Sequence, residues 1–118
     1  MKIELTHEQN MSLIKLGVDP KKASGNDFWN PNVNGRVFHQ PVFTLADLLV
    51  ILPKALRRDD LAYWYNFKIL WREKDEQWYV TYDSIGESMA FESATELIDA
   101  LYKLTCWYYG EYLKSEEK

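Results

Sequence analysis

The chain has 118 residues, a net charge of −4, 47% hydrophobic and 27% charged residues, and one cysteine, Cys106. That length buries a core within one domain, and the balance excludes a largely disordered chain. A lone cysteine excludes an intramolecular disulfide, and no apolar run approaches the roughly 20 residues of a membrane-spanning helix. The N-terminal residues Lys2, Glu4, His7 and Glu8 are too polar for a signal peptide, so the cytoplasm is the expected location and no membrane partner is expected. Residues 1–60 carry eight Lys/Arg against seven Asp/Glu, and 61–118 carry six against eleven. No basic cluster stands out, which disfavours duplex DNA as a partner.

Thr6 and Gln9 have capping-box spacing and predict a first helix with Met11, Leu13 and Ile14 on its apolar face. Gly17 ends it and Asp19-Pro20 blocks continuation, with a short helical turn over 20–24. Residues 25–42 read as an irregular segment that packs down through Phe28, Trp29, Val37 and Phe38. Asn34-Gly35 suggests a tight turn between 28–33 and 36–40. Thr44 and Asp47 cap a second helix, with Phe43 stapled onto Leu48. Leu45, Leu48, Leu49, Ile51 and Leu52 make it apolar nearly all round, which predicts burial. Pro53 ends it, and 57–60 reads as a polar junction.

Strands follow. Leu61, Tyr63, Tyr65, Phe67, Ile69 and Trp71 alternate with more mixed residues over 61–71, the period of a half-buried strand. In the next strand Trp78, Val80 and Tyr82 form the matching apolar set. A two-residue turn at Lys74-Asp75 pairs Trp71 with Trp78, Ile69 with Val80 and Phe67 with Tyr82. A four-residue turn over 74–77 also keeps both apolar sets together, whereas a one-residue slip turns one set to water. A third short strand over 88–91, after Ile85-Gly86, is expected to point Met89 and Phe91 inward. Ser93 with Glu96 predicts the cap of the last helix, and Leu97, Leu101, Leu104 and Tyr108 form its buried stripe. Gly110 ends or weakens it.

The fold class expected is α+β: a three-stranded antiparallel meander packed against a long C-terminal helix, with two N-terminal helices. It forms a single domain over 1–118, helical and irregular over 1–60, then hairpin, meander and helix over 61–114.

Chemical motifs are few. His7 and His39 lie apart in sequence, and Cys106 falls mid-helix, where an inert, partly buried thiol is the common outcome. No nucleophile elbow, glycine-rich phosphate loop or metal-ligand spacing occurs, so no catalytic residue, metal or cofactor is expected. Aromatic residues make up 15% of the chain, and fourteen of the eighteen rings fall at or after Tyr63. One inward sheet face and one helical stripe account for most of them. Trp64, Tyr79, Tyr102 and Tyr109 are the rings left over, and with Leu70 they form the candidate interaction surface for an unidentified protein partner or a second copy. The bland alternative covers the outward sheet face with the 25–42 segment and buries both sides of the helix. Trp64, Lys68 and Arg72 on one strand face could instead stack and neutralise a single-stranded nucleic acid. A small enzyme with a site assembled from distant residues is the other alternative.

Three stretches carry a family resemblance. They are Leu5-Thr6-His7-Glu8-Gln9 with Leu16-Gly17-Val18-Asp19 and Lys22-Ala23-Ser24; Phe43-Thr44-Leu45-Ala46-Asp47-Leu48-Leu49 with Leu52-Pro53-Lys54; and Leu97-Ile98-Asp99-Ala100-Leu101-Tyr102 with Trp107 and Tyr112-Leu113. Together they resemble small uncharacterised proteins encoded by prophages and mobile elements of Bacteroidales gut bacteria. The resemblance implies a cytoplasmic, phage-type accessory protein. It carries over no activity and no site residue.

Overall fold

The computed structural model describes residues 1–29, 38–57 and 64–116. The expected Asn34-Gly35 turn, the 58–60 part of the junction, and Leu61 and Tyr63 lie outside these residues. Helix α1 (His7–Leu16) starts at the Thr6–Gln9 capping box, with Gly17 closing it at φ 112°, a left-handed conformation that favours glycine. Asp19 caps the short helical turn Pro20–Lys22. Strands β1 (Gly25–Trp29) and β2 (Phe38–Val42) form an antiparallel pair with Trp29 opposite Phe38, in a segment that the sequence reads as irregular apart from a suggested hairpin between 28–33 and 36–40.

Helix α2 (Leu45–Ile51) has the expected Thr44–Asp47 capping box. It is less buried than its apolar sequence predicts: Leu48 is fully covered, but Val50 is 84% exposed. The chain then enters β3 (Ala55–Arg57), which pairs with the start of β4 (Trp64–Arg72). Part of the expected polar junction is therefore an edge strand. It is held from outside the sheet by the Tyr112 hydroxyl, which donates to the Arg57 carbonyl at 2.8 Å.

With β5 (Gln77–Ser84) and β6 (Glu87–Ala94), the result is an antiparallel sheet in the order β3-β4-β5-β6. The α+β class and the long C-terminal helix stand, but the sheet has four strands and not three. The β4–β5 register matches the expected pairing, Trp71 with Trp78, Ile69 with Val80 and Phe67 with Tyr82. The turn occupies 73–76 and uses Glu76 at φ 52°.

β6 departs from expectation. Its pairing shifts between Tyr82, opposite Ala90, and Asp83, opposite Ser88, so Met89 is an extra residue. Such a bulge reverses the alternation beyond it. Met89 and Ala90 both pack against the core, while Phe91 turns to the outward face opposite Thr81 and is 60% exposed.

The C-terminal helix runs through α3 (Leu97–Trp107), a π-helical turn at Tyr108–Tyr112, and α4 (Leu113–Glu116). Gly110 neither ends the helix nor interrupts it; it sits within the widened turn. Ser93 is not the cap, because it pairs with Tyr79 in β6, and the helix begins after Glu96. The Glu96 carboxylate instead accepts from the Lys2 backbone amide at 3.1 Å. Among the described residues, no helix is long and apolar enough to cross a membrane.

The core lies between the inward sheet face and α3. Tyr65, Val80 and Tyr82 from the sheet meet Ile98, Leu101 and Leu104 from the helix, with Leu13, Phe43 and Leu48 closing the other side. Tyr82 is the hub: its ring lies 5.6 Å from Phe67 and 5.9 Å from Trp107, and its hydroxyl donates to the Pro53 carbonyl at 2.8 Å. Burial pushes this phenol well above the ordinary tyrosine range, so it stays protonated as a donor. The inward row is not buried along its whole length. Ile69 and Trp71 are 41% and 43% exposed, and Trp71 packs on Trp78 with centroids 5.2 Å apart.

Two carboxylates tie the N-terminal half together. Asp47 accepts from the Ser24 amide at 2.8 Å and the Thr44 amide at 2.9 Å, and Asp99 accepts from Lys2 Nζ at 3.0 Å and Gln9 Nε2 at 3.1 Å. Burial pulls each carboxyl upward, but these donors outweigh it and hold both below the usual carboxylate range. A folded-state value below the unfolded one means that the contribution is complete above the unfolded value, about 3.9, and fades as pH falls through the folded value. Urea unfolding repeated at descending pH is expected to show stability falling in that acid window. Asp47→Asn is expected to flatten the dependence; an unchanged profile in Asp47→Asn would show that this carboxylate is not part of it.

Candidate interaction surface

The outward sheet face takes its character from strand alternation. Ala55 and Arg57 of β3, the even positions of β4 and the odd positions of β5 point away from α3, joined beyond the bulge by Phe91 and Ser93. Trp64, Leu70 and Phe91 are 54%, 56% and 60% exposed. Tyr79, half-buried, lies between two of its neighbours. The Phe91 ring stacks on it at 6.4 Å and 17°, and the Arg72 guanidinium lies 5.0 Å from its centroid. Its hydroxyl donates to Asp75 at 2.7 Å, a bond that raises the phenol's pKa. Arg72 also reaches Asp75 at 3.5 Å.

At the other end, the Arg57 guanidinium lies 5.8 Å from the Trp64 ring. A shallow groove beside it is lined by Trp64, Asn66, Lys68, Asp83, Ile85 and Gly86. Ile85 stands fully exposed at the β5–β6 turn, where Gly86 supplies φ 71°. Asp83 accepts from the Ser88 hydroxyl at 2.6 Å. Among the described residues, the Lys68 side chain has no hydrogen bond or ion pair.

The structure therefore places Leu70 opposite Tyr79 and Trp64 at the other end of the same face, which Lys68 and Arg72 share. It adds Phe91, which the sequence reading had turned inward. The missing signal was the bulge: the Ile85-Gly86 turn alone places Phe91 opposite Val80, and one extra residue moves it opposite Thr81.

Tyr102 and Tyr109 do not belong to this surface. Both are half-buried on the C-terminal helix, which packs against the inward side, and both contact the core cluster. Tyr109 meets Tyr108 edge-on at 5.3 Å. Tyr102 and Cys106 share a groove with Leu16, Glu92, Lys103 and Trp107. Burial pushes the Cys106 thiol upward, and nearby Glu92 adds to this, against a hydrogen bond from Tyr102. A thiol held protonated is a poor nucleophile. His7 lies beside Glu8 and Met11 on α1 and does not line that groove, and the His39 side chain is outside the described residues. Among the described residues, no group of three or more His, Cys, Asp or Glu side chains could hold a metal ion.

Fold and surface together define an α+β protein with one sheet face packed on a helix and the other open, aromatic and bordered by cations. No family model, curated protein or solved structure matches the chain.

Proposed function

We propose that this is a non-enzymatic accessory protein of phage type that acts in the cytoplasm by binding another protein through its outward sheet face. The observation that carries the contact is the joint exposure of Trp64, Leu70 and Phe91 on one face. Large apolar side chains held in water on one face mark a binding site, because their exposure costs free energy that a partner recovers. The phage-type context rests on the sequence resemblance alone.

Single-stranded nucleic acid is the second reading, since Trp64, Lys68 and Arg72 share the face. It is weaker, because stacking needs free ring faces. Tyr79 has Phe91 on one side and Arg72 on the other, and Arg57 lies over Trp64.

The test is the combined variant Trp64→Ser, Leu70→Ser and Phe91→Ser. These side chains are largely solvent-exposed, so each substitution is expected to move folding stability by only about 0.5 kcal/mol. Binding to any partner captured by the wild type from its host is expected to weaken at least about 30-fold, as for hot-spot residues. Partners retained equally by the folded variant would sink the reading.

A further inference from the structure

We infer that the occupant of the outward face is an acidic protein segment carrying large apolar side chains; this rests on the proposed protein contact at that face. The argument is charge complementarity. The whole chain carries −4, with eighteen Asp and Glu against fourteen Lys and Arg. The outward face reverses that balance locally. Among the described residues, Arg57, Lys68 and Arg72 are spread along it, against Asp83, bonded to Ser88, and Asp75 at the tip, which meets Arg72.

Position matters as much as number. Arg57 stands by Trp64 and Arg72 by Tyr79, with Lys68 between them on β4 and Leu70 in the same row. Trp64, Leu70 and Tyr79 therefore each have a cation beside them. An anionic side chain flanking an apolar anchor would meet a positive charge wherever the anchor docks. Lys68, without an anionic partner among the described residues, is the cation most available to it.

The same geometry speaks against the other occupants. A second copy docked face to face would bring two sets of these cations together, and like-charge juxtaposition at an interface is costly. A nucleic acid would satisfy the cations but would find Tyr79 already sandwiched and aliphatic Leu70 in the centre. Short apolar side chains fit around those obstacles, whereas flat bases need an open platform.

The experiment is selection from a display library of short random peptides on the immobilised full chain, with the Trp64→Ser, Leu70→Ser, Phe91→Ser variant as counter-selection. Enriched peptides are expected to combine excess Asp and Glu with Leu, Phe or Trp. Their affinity is expected to fall with added salt and to weaken about tenfold in Arg57→Glu with Lys68→Glu, the order of 1.4 kcal/mol. Face-dependent enrichment of neutral or basic peptides overturns the charge inference and leaves the protein-contact reading standing. No enrichment over the face variant overturns both. Tighter binding of oligothymidylate than of any enriched peptide, or a dimer in sedimentation abolished by the face variant, replaces the acidic segment by a nucleic acid or a second copy.

Discussion

Tyr82→Ala is expected to cost about 3–5 kcal/mol of folding stability, as for other buried ring truncations. Tyr82 is fully buried where the sheet meets the C-terminal helix, with Phe67 and Trp107 on its ring. Truncation opens a cavity that fixed strands and a packed helix cannot close, and it leaves the Pro53 carbonyl without its hydroxyl donor. Tyr82→Phe keeps the ring and removes that bond alone, so about 1 kcal/mol is expected. Urea unfolding of both variants separates packing from hydrogen bonding. A domain of this size commonly has about 5–15 kcal/mol in total, so the alanine variant should unfold at markedly lower denaturant. A cost for Tyr82→Ala no larger than for Tyr82→Phe would contradict the hub assignment.

Asn10→Ala is expected to cost about 2–3 kcal/mol, a large figure for a polar residue on a short helix. Asn10 is only 2% exposed. Its Oδ1 accepts from the Phe43 amide at 2.9 Å, and its Nδ2 donates to the Leu5 carbonyl at 3.4 Å. One amide side chain thus joins α1 to the segments on both sides of it. Those segments are held together beside it, since Leu5 donates to the Phe43 carbonyl at 3.0 Å and Leu45 to the Ile3 carbonyl at 2.8 Å. Alanine leaves the Phe43 amide buried without an acceptor, and such an orphan costs more than the mean hydrogen bond contributes. Hydrogen exchange gives an independent readout: the Phe43 amide should lose protection more than the amides of β4 and β5 do. Equal change at all these sites would mean that Asn10 acts through global stability alone.

Local features of the fold were legible wherever the chemistry was local. The Thr6–Gln9 and Thr44–Asp47 boxes cap their helices because a side chain three residues away satisfies a free amide. The β4–β5 pairing was readable as far as the even-length turns, because only these keep the two apolar rows, Phe67 to Trp71 and Trp78 to Tyr82, on one face; the structure takes the register of the two-residue alternative. Ser93 shows the limit. Its spacing to Glu96 is that of a cap, yet pairing with Tyr79 holds Ser93 in the strand and Lys2 takes the Glu96 carboxylate. The competing partners come from other parts of the chain, so no local pattern announced them.

The sequence by itself determined the starts of α1 and α2, the rows of β4 and β5 that share a face, and a surplus of rings beyond what one core needs. It also named Trp64 and Tyr79 as part of that surplus, with Leu70 beside them. Only the tertiary structure decided which rings form one surface. β3 joined the sheet through backbone hydrogen bonds that any sequence can make. The Met89 bulge moved Phe91 across the sheet by a single residue of slip, and α3, by covering the inward face, separated Tyr102 and Tyr109 from the other candidates. Alternation tells which residues share a face of one strand; which face meets a helix, and where a bulge reverses it, depends on contacts far apart in the chain.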